Sequence, residues 1–580
     1  MTTNYAVLLD RTDDRRGHSD AWRQIIDAEA LVPVFTKGAV QVFARVDEPI
    51  VTLPHGRGIV IGTLFHRRDT RRVEADTLGA LPAHDDLARW FIEHLWGRYI
   101  GVFTDDHGTH VDILRDPTGL MACYGTEQRG VRAFAADARL FQKLGLISGT
   151  VDWQQLGLCL AAPDFRGRTT GLVGVTEPVP GEVLSLNACG DQIKTFWSPG
   201  RFCRPKGHAD FDAHVHDIRD EVDRCVSAWS NGTSTILLSL SGGLDSSVLA
   251  ASIPDAPRRL FAVNLRSGPG RGDERDHARA VAAHIGFSLE EIDMSSAEVD
   301  LRRSLAADQP RPSARAFTQP VDRIVASVAD RVRADMLFNG GGGDSVFAFL
   351  HSANPAADRL LTEGIGRGFV RTVLDLAEIT GCPAAYVARR AIRKAWFGPR
   401  RFVWPSTLGL LSASYVEALA APSHPWLDGL EDLLPGQREH AVAVLRAINF
   451  VGYLNIDGRR PTIYPLLSQP LVERCLAVPS WLCCRGGQDR AVARSAFARR
   501  IPDTILARRT KGAFDAMTAA IFQAQLPLIR EMILDGGLLR NGILLSEQVR
   551  PALEERIVTG STFRRILQCV DLEAWASAWS

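Results

Sequence analysis

At 580 residues, with 46% apolar and 23% charged residues, the chain is too long for one hydrophobic core and ordinary in composition for a soluble globular protein of roughly two to four domains. Lys plus Arg equals Asp plus Glu at 67 each, which leaves no global field to advertise nucleic acid or membrane binding. The ten cysteines (Cys123, Cys159, Cys189, Cys203, Cys225, Cys382, Cys475, Cys483, Cys484 and Cys569) form no CxxC pair, so they read as reduced thiols of a cytoplasmic protein, not as a disulfide framework or metal site. The N-terminus MTTNYAVLLDRTDDRR lacks a signal-peptide core, and no uncharged apolar run reaches the ~18 residues that span a bilayer.

Up to about residue 200, short strands alternate with Gly, Pro and Asp turns. Ala39 to Ala44 and Gly58 to Leu64 are apolar and β-branched enough for strands, Asp85 to Trp96 has helical spacing, and Tyr99 to Phe103 with His110 to Leu114 predicts a hairpin across DDHG. An α+β domain with many antiparallel strands is expected. Its punctuation is WGRYIGVF (Trp96 to Phe103), RDPTGL (Arg115 to Leu120), FAADARLF (Phe134 to Phe141), EPVPGEVL (Glu177 to Leu184) and KTFWSP (Lys194 to Pro199). The linker RFCRPKG (Arg201 to Gly207) precedes a helical pattern over Phe211 to Trp229.

The second half is organised around TILLSLSGGLDSS, Thr235 to Ser247. An apolar strand, a Gly turn and a helix start in succession make a phosphate-binding arrangement, in which glycines let backbone N–H groups approach an anion and serines cap or donate. Leu240, Ser241, Gly242, Gly243, Asp245, Ser246 and Ser247 are the expected nucleotide-binding residues. A carboxylate among phosphate donors needs a cation beside it, so Asp245 is expected to ligate Mg2+.

Leu260 to Leu265 predicts a second buried strand, and alternating strand and helix signals imply a doubly wound parallel sheet. The Val263 backbone would then be placed to read adenine. Asp273 and Glu274 fit either a helix start or a ligand role. Met336 to Phe347, MLFNGGGGDSVF, supplies a second glycine loop with Gly340 and Gly341 as ligand contacts and Asp344 as a second carboxylate for Mg2+ on bound phosphates. Residues 351 to 450 are largely helical. Within them, KAWFGPRRFVWP (Lys394 to Pro405) fits a loop over the core or a contact for nucleic acid or peptide.

The loop SGGLDSS is no Walker A motif; it resembles the PP-loop of ATP pyrophosphatases in its asparagine synthetase form. The first-half motifs resemble, in order and spacing, the glutaminase domain of class II amidotransferases. That family uses an N-terminal Cys, whereas this chain opens Met1, Thr2, Thr3, Asn4, so loss of glutaminase chemistry is expected, with Thr2 the weaker alternative nucleophile. The resemblance implies an α/β chain: an N-terminal α+β Ntn-hydrolase-like, degenerate class II glutaminase domain over 1–205, and a C-terminal adenine-nucleotide α-hydrolase-like PP-loop synthetase domain over 206–580.

Asn339 to Ser345 aligns with the SGEGxDE segment of asparagine synthetases, with Gly341 at the Glu position and Ser345 at the last Glu, a change expected to remove a charge and open volume beside the reacting acyl group. RTKGAFD (Arg509 to Asp515) resembles the family's RxKxxF segment, which implies that Lys511 neutralises charge on the α-phosphate. Arg490, Arg494, Arg508 and Arg509 read as solvated or ion-paired groups, and YPLLSQPLVERCLAVPSW (Tyr464 to Trp481) as a packing segment.

YPLLSQPLVERCLAVPSWL, DRAVAR and RRTKGAF together look most like the lasso peptide cyclases. That resemblance implies ATP and Mg2+, a leader-free core peptide as substrate, a leader-recognition protein and a leader peptidase as partners, and no nucleic acid. β-Lactam synthetases, asparagine synthetases, a PP-loop enzyme acting on tRNA and a non-catalytic binding protein are the alternatives.

Overall fold

The computed structural model describes residues 4–11, 15–187, 190–204, 210–266, 273–313, 315–451, 460–509, 515–554 and 562–580. Thr2, Cys189, Lys511 and the last three residues of the linker lie outside the described residues. Among those described, the first half forms two six-stranded antiparallel sheets. One runs in the order Val175–Thr176, Tyr124–Gln128, Val131–Ala135, Tyr5–Asp10, Val40–Arg45, Leu31–Lys37; the other runs Gln192–Thr195, Glu182–Leu186, Val111–Arg115, Leu95–Thr104, Gly58–His66, Ile50–Thr52.

Period-2 alternation sorts the side chains of these strands into layers. Tyr5, Val7 and Leu9 of one sheet meet Ile59, Ile61, Ile100 and Val102 of the other in a core between the sheets. The alternate residues Ala6 and Leu8, or Val60, Tyr99 and Phe103, point outward and are covered there too. Strands buried on both faces read as continuous apolar runs, which is why YAVLLD is buried throughout. The expected hairpin is present, with Thr104 paired to Val111. The helix expected from Asp85 spans His84–His94, and Leu95 and Trp96 instead begin the following strand, because they complete its pairing with Phe65 and His66.

The second half contains a five-stranded parallel sheet in the order Ser288–Asp293, Leu260–Arg266, Ile236–Ser239, Met336–Asn339, Thr462–Ile463. From the central strand Ile236–Ser239 the chain moves outward on one side and then returns to the other. The strand order therefore reverses between Ile236–Ser239 and Met336–Asn339, and such a switch point opens a crevice at the strand carboxyl ends.

The halves are not separately cored. Phe65 and Trp96 of the first half meet Trp229 of the helix Phe211–Ser230, with ring centroids 4.9 and 5.9 Å from it, and Trp229 Nε1 donates to Ser468 Oγ at 3.0 Å. The segment Tyr464 to Trp481 is largely buried, as its apolar composition requires. KAWFGPRRFVWP divides: Trp404 is buried and donates to Pro163 O at 3.1 Å, while Trp396, Phe397 and Val403 stand exposed.

A charged joint also crosses the boundary. Glu177 of EPVPGEVL accepts from Arg115 of RDPTGL (2.7 Å), from Arg166 (2.7 Å) and from Arg311 of the second half (2.5 Å), all buried. Burial alone would push Glu177 up, but the guanidiniums of Arg166, Arg311 and Arg115 outweigh it and hold the carboxyl well below the usual carboxylate range. Glu177→Gln, which strands buried guanidiniums, is expected to cost about 3–5 kcal/mol in urea unfolding at neutral pH. Because the folded pKa is depressed, the gap between wild type and variant should hold down to the unfolded pKa of a glutamate, about 4.3, and close only as pH falls below it; a gap that widened on acidification would contradict this assignment.

Candidate active site

Both glycine loops leave adjacent parallel strands at the switch point, where Ser239 is paired with Asn339. Leu240 is buried; its N–H donates to Val263 O at 2.9 Å and its carbonyl accepts from Asn264 Nδ2 at 2.7 Å. The Val263 carbonyl is thus already engaged once within the sheet, and an adenine contact there would use its second lone pair.

Gly242 needs its left-handed φ of +65°, and a Cβ on it would lie 2.6 Å from the Cβ of His277. The helix Leu244–Ser252 then starts with Gly243 at the N-cap and no side-chain cap. Ser246 and Ser247, expected to cap N–H groups, instead donate to the Gly243 carbonyl at 3.3 and 2.7 Å. They lie inside the first turn, where a hydroxyl reaches a preceding carbonyl and not a following N–H. The first-turn N–H groups of a helix without a side-chain cap remain available to an anion. Ser241 Oγ accepts from Gly243 N–H at 3.3 Å and approaches Ser246 Oγ at the same distance.

The second loop's glycines serve first to let the two loops touch. A Cβ on Gly340 would lie 2.9 Å from Ser246 N, and one on Gly343 would lie 2.5 Å from Asp245 Cγ. Gly341 donates its N–H to Asn339 Oδ1 at 2.8 Å. The volume expected from a glycine at this position is not open: a Cβ there would sit 3.1 Å from the ring of buried Tyr464, whose edge fills the place. Asp322, on the helix Gln319–Val332, carries a carboxyl that burial pushes up to about 7, and its charge is felt at Tyr464. Buried His440, held neutral by burial at about 4, makes a 3.0 Å contact with Val346 O and so braces the turn after Asp344.

Asp245 and Asp344 converge on one atom, Nη1 of Arg490. The Asp245 Oδ1 contact is 3.3 Å, and Asp344 Oδ1 is also ion-paired to it. Arg490 adopts a left-handed φ of +52°, an uncommon conformation for a non-glycine residue, and its Nε donates to Asp489 at 2.8 Å. Arg494 pairs with Asp489 at 2.9 Å. Burial raises Asp489, but its two arginines prevail and hold its carboxyl below the usual range. The sequence leaves Arg490 either solvated or ion-paired, and the structure pairs it with both carboxylates.

Two oxygens from separate loops already meet at one cationic nitrogen, so the pair fits a hard dication equally well, with Asp489 retaining Arg490 through Nε. Arg508 donates to Gly242 O at 3.0 Å and pairs with Glu274 at 2.5 Å, which ties Glu274 to the loop as a structural partner. Glu274 also stands at the N-cap of the helix Arg275–Ile285, while Asp273 pairs with Arg275 at its start. Arg509 pairs with Glu378.

Such a constellation defines a parallel α/β protein with a crevice at the strand carboxyl ends, between two glycine loops and two carboxylates, where open α/β sheets bind their ligands. Residues 217–443 and 461–577 match the asparagine synthase family, and the chain belongs to that family. The carboxyethyl-arginine beta-lactam-synthase of Streptomyces clavuligerus is 27% identical over 203 residues, which cover 33% of this chain and 38% of that relative, well under half its length. Similar solved structures include the glutamine phosphoribosylpyrophosphate amidotransferase from B. subtilis, at 10% identity over 58% of this chain and 84% of that one with a TM-score of 0.19. Another is the U34-tRNA thiolase NcsA from Methanococcus maripaludis, at 14% identity over 42% and 79% with a TM-score of 0.19.

Gly343→Ala tests the loop contact directly. The added methyl displaces Asp245, so the variant is expected to lose about 1–3 kcal/mol of stability and to bind Mg·ATP at least about tenfold more weakly in calorimetry, a factor worth about 1.4 kcal/mol. Unchanged binding would show that the closeness of the loops does not matter to the site.

Proposed function

We propose that the protein is an ATP-dependent, AMP-forming carbon–nitrogen ligase that closes a macrolactam ring in a leader-free core peptide, as a lasso peptide cyclase does. The observation that carries the ligase reading is the convergence of Asp245 and Asp344 on one point beside two glycine loops. Family membership supports it, and the resemblance of the Tyr464 to Trp481, Asp489 to Arg494 and Arg508 to Phe514 segments supports the peptide substrate.

In this reading a side-chain carboxylate of Asp or Glu in the core peptide attacks the α-phosphorus of ATP; the bond to the β-phosphate oxygen breaks and pyrophosphate leaves. The uncapped first turn of Leu244–Ser252 and the loop Ser241, Gly242, Gly243 hold phosphate oxygens. Asp245 and Asp344 would hold Mg2+, which neutralises the polyphosphate charge. Lys511, three residues along the chain from Arg508, offsets charge on the α-phosphate. The peptide's own N-terminal amine then attacks the acyl carbon, loses a proton, and AMP departs, leaving an isopeptide bond.

An amine supplied by the substrate suits this chain. The described cysteines of the first half are poor nucleophiles: burial raises the thiols of Cys123 to about 11 and Cys203 to about 12, and raises Cys159 as well. Folding both reacting groups of one peptide together raises their effective concentration without an added nucleophile. A leader-recognition protein and a leader peptidase would prepare the substrate. A second reading, β-lactam closure on a small amino acid, is favoured by the Streptomyces relative.

With ATP, Mg2+ and a leader-cleaved precursor, the protein is expected to yield a product lighter by one water, detected by mass spectrometry together with pyrophosphate release. Asp245→Asn and Asp344→Asn should abolish pyrophosphate exchange, whereas Lys511→Met should still bind ATP but turn over about 10²–10³-fold more slowly. Exchange with free β-amino acids alone would move the assignment to β-lactam closure, and normal turnover by Lys511→Met would remove that residue from the mechanism.

A further inference from the structure

A second cluster of ligating side chains lies in the first half, on elements that carry none of the nucleotide-site residues. His84 is the first residue of the helix His84–His94, His110 ends the turn of the hairpin between Leu95–Thr104 and Val111–Arg115, and Asp112 is the second residue of the strand that follows. Nε2 of His84 lies 3.4 Å from Asp112 Oδ2, and Nε2 of His110 lies 3.4 Å from Asp112 Oδ1. The two imidazole rings stand edge to face with centroids 4.7 Å apart, and one ligand atom from each of the three residues falls within 4.8 Å of the others.

These polar atoms are buried without a hydrogen-bond partner: Nε2 of both histidines and Oδ1 of Asp112. Asp112 is 5% exposed, so its carboxylate is withdrawn from water and aimed at the two rings. An unmatched buried carboxylate beside two unmatched imidazoles is costly unless something cationic joins them. The turn is also built to present His110. Asp105 accepts from Thr109 N–H at 2.7 Å, from His110 N–H at 3.1 Å and from the Thr109 hydroxyl at 2.7 Å.

We propose that His84, His110 and Asp112 form a site for a divalent transition metal, zinc by its donor set, that pins the start of the helix His84–His94 to the hairpin. Nitrogen and oxygen donors about 2.0–2.2 Å from a tetrahedral zinc are separated from one another by about 3.3–3.6 Å, and each imidazole nitrogen here lies 3.4 Å from one oxygen of the Asp112 carboxylate. Two imidazoles beside one carboxylate select zinc over Mg2+ or Ca2+, which take oxygen ligands. The side chain of His110 is 30% exposed, which places the cluster near the surface. Three ligands gathered from a helix start, a turn and a strand leave no spacing motif in the sequence.

The test uses the full chain, without a histidine tag, incubated with Zn2+ alone and dialysed into metal-free buffer. Elemental analysis is expected to find about one zinc per wild-type chain, and none above background in His110→Ala or in the near-isosteric Asp112→Asn. Far-UV circular dichroism shows that the variants are folded. With Co2+ in place of Zn2+, the visible bands of a tetrahedral nitrogen and oxygen site should appear in wild type and vanish in both variants, and chelation should lower the thermal midpoint of wild type only. Wild-type zinc no greater than that of His110→Ala, or equal zinc in all three proteins, would overturn the proposal and leave a polar cluster only.

Discussion

Two carboxylates placed on neighbouring loops repel one another, by about 4 kcal/mol for unit charges 4 Å apart at an effective dielectric near about 20. The nucleotide crevice exists as described because Arg490 Nη1 stands between Asp245 and Asp344 and turns that repulsion into two attractions. Much else follows from holding them there. Gly340 and Gly343 must lack side chains so that the loops can approach. Asp489 must anchor the other edge of the guanidinium, and Arg490 itself adopts a left-handed backbone to reach inward. A bound cation and a polyphosphate would enter a place already shaped by charge, and preorganised charge of this kind is what adenylation chemistry requires.

Local features of this site are legible in the sequence and distant ones are not. Strand, glycine turn and helix start are contiguous in TILLSLSGGLDSS, so the loop can be read without knowing what surrounds it, and the same holds for MLFNGGGGD. The serines illustrate the limit: composition says that they can cap, but only the position of Gly243 decides that they turn back to its carbonyl. Gly341 is similar, since Tyr464, more than 100 residues away, fills the space that a lost side chain suggests. Arg490 sits among several arginines of equal appearance, and nothing local distinguishes the one whose guanidinium crosses to two other loops. Asp322 and Glu177 are missed or half-seen for the same reason: burial and partner identity are tertiary properties.

The family and the particular reaction rest on different kinds of residue. Membership of the asparagine synthase family follows from segments spread over most of the second half, where loops, strands and packing positions all contribute. At the second glycine loop the chain departs from the asparagine synthetase pattern that it resembles. Gly341 and Ser345 stand where that pattern has two carboxylates, and the ring of Tyr464 lies against the place that a side chain on Gly341 would take.

In the first half, burial raises the thiols of Cys123, Cys159 and Cys203. The outer faces of its two sheets are not solvent surfaces: Val60, Tyr99 and Phe103 share a core with Ile236 and Leu238 of the central parallel strand, and Ala6 and Leu8 share one with Ile566 and Trp575 near the end of the chain. Removing the sandwich would expose both of those cores and leave Trp229 without Phe65 and Trp96. It would also unpair Arg311 from Glu177. The surfaces of the first half are thus part of the support of the parallel sheet that carries the glycine loops, because that sheet folds against them.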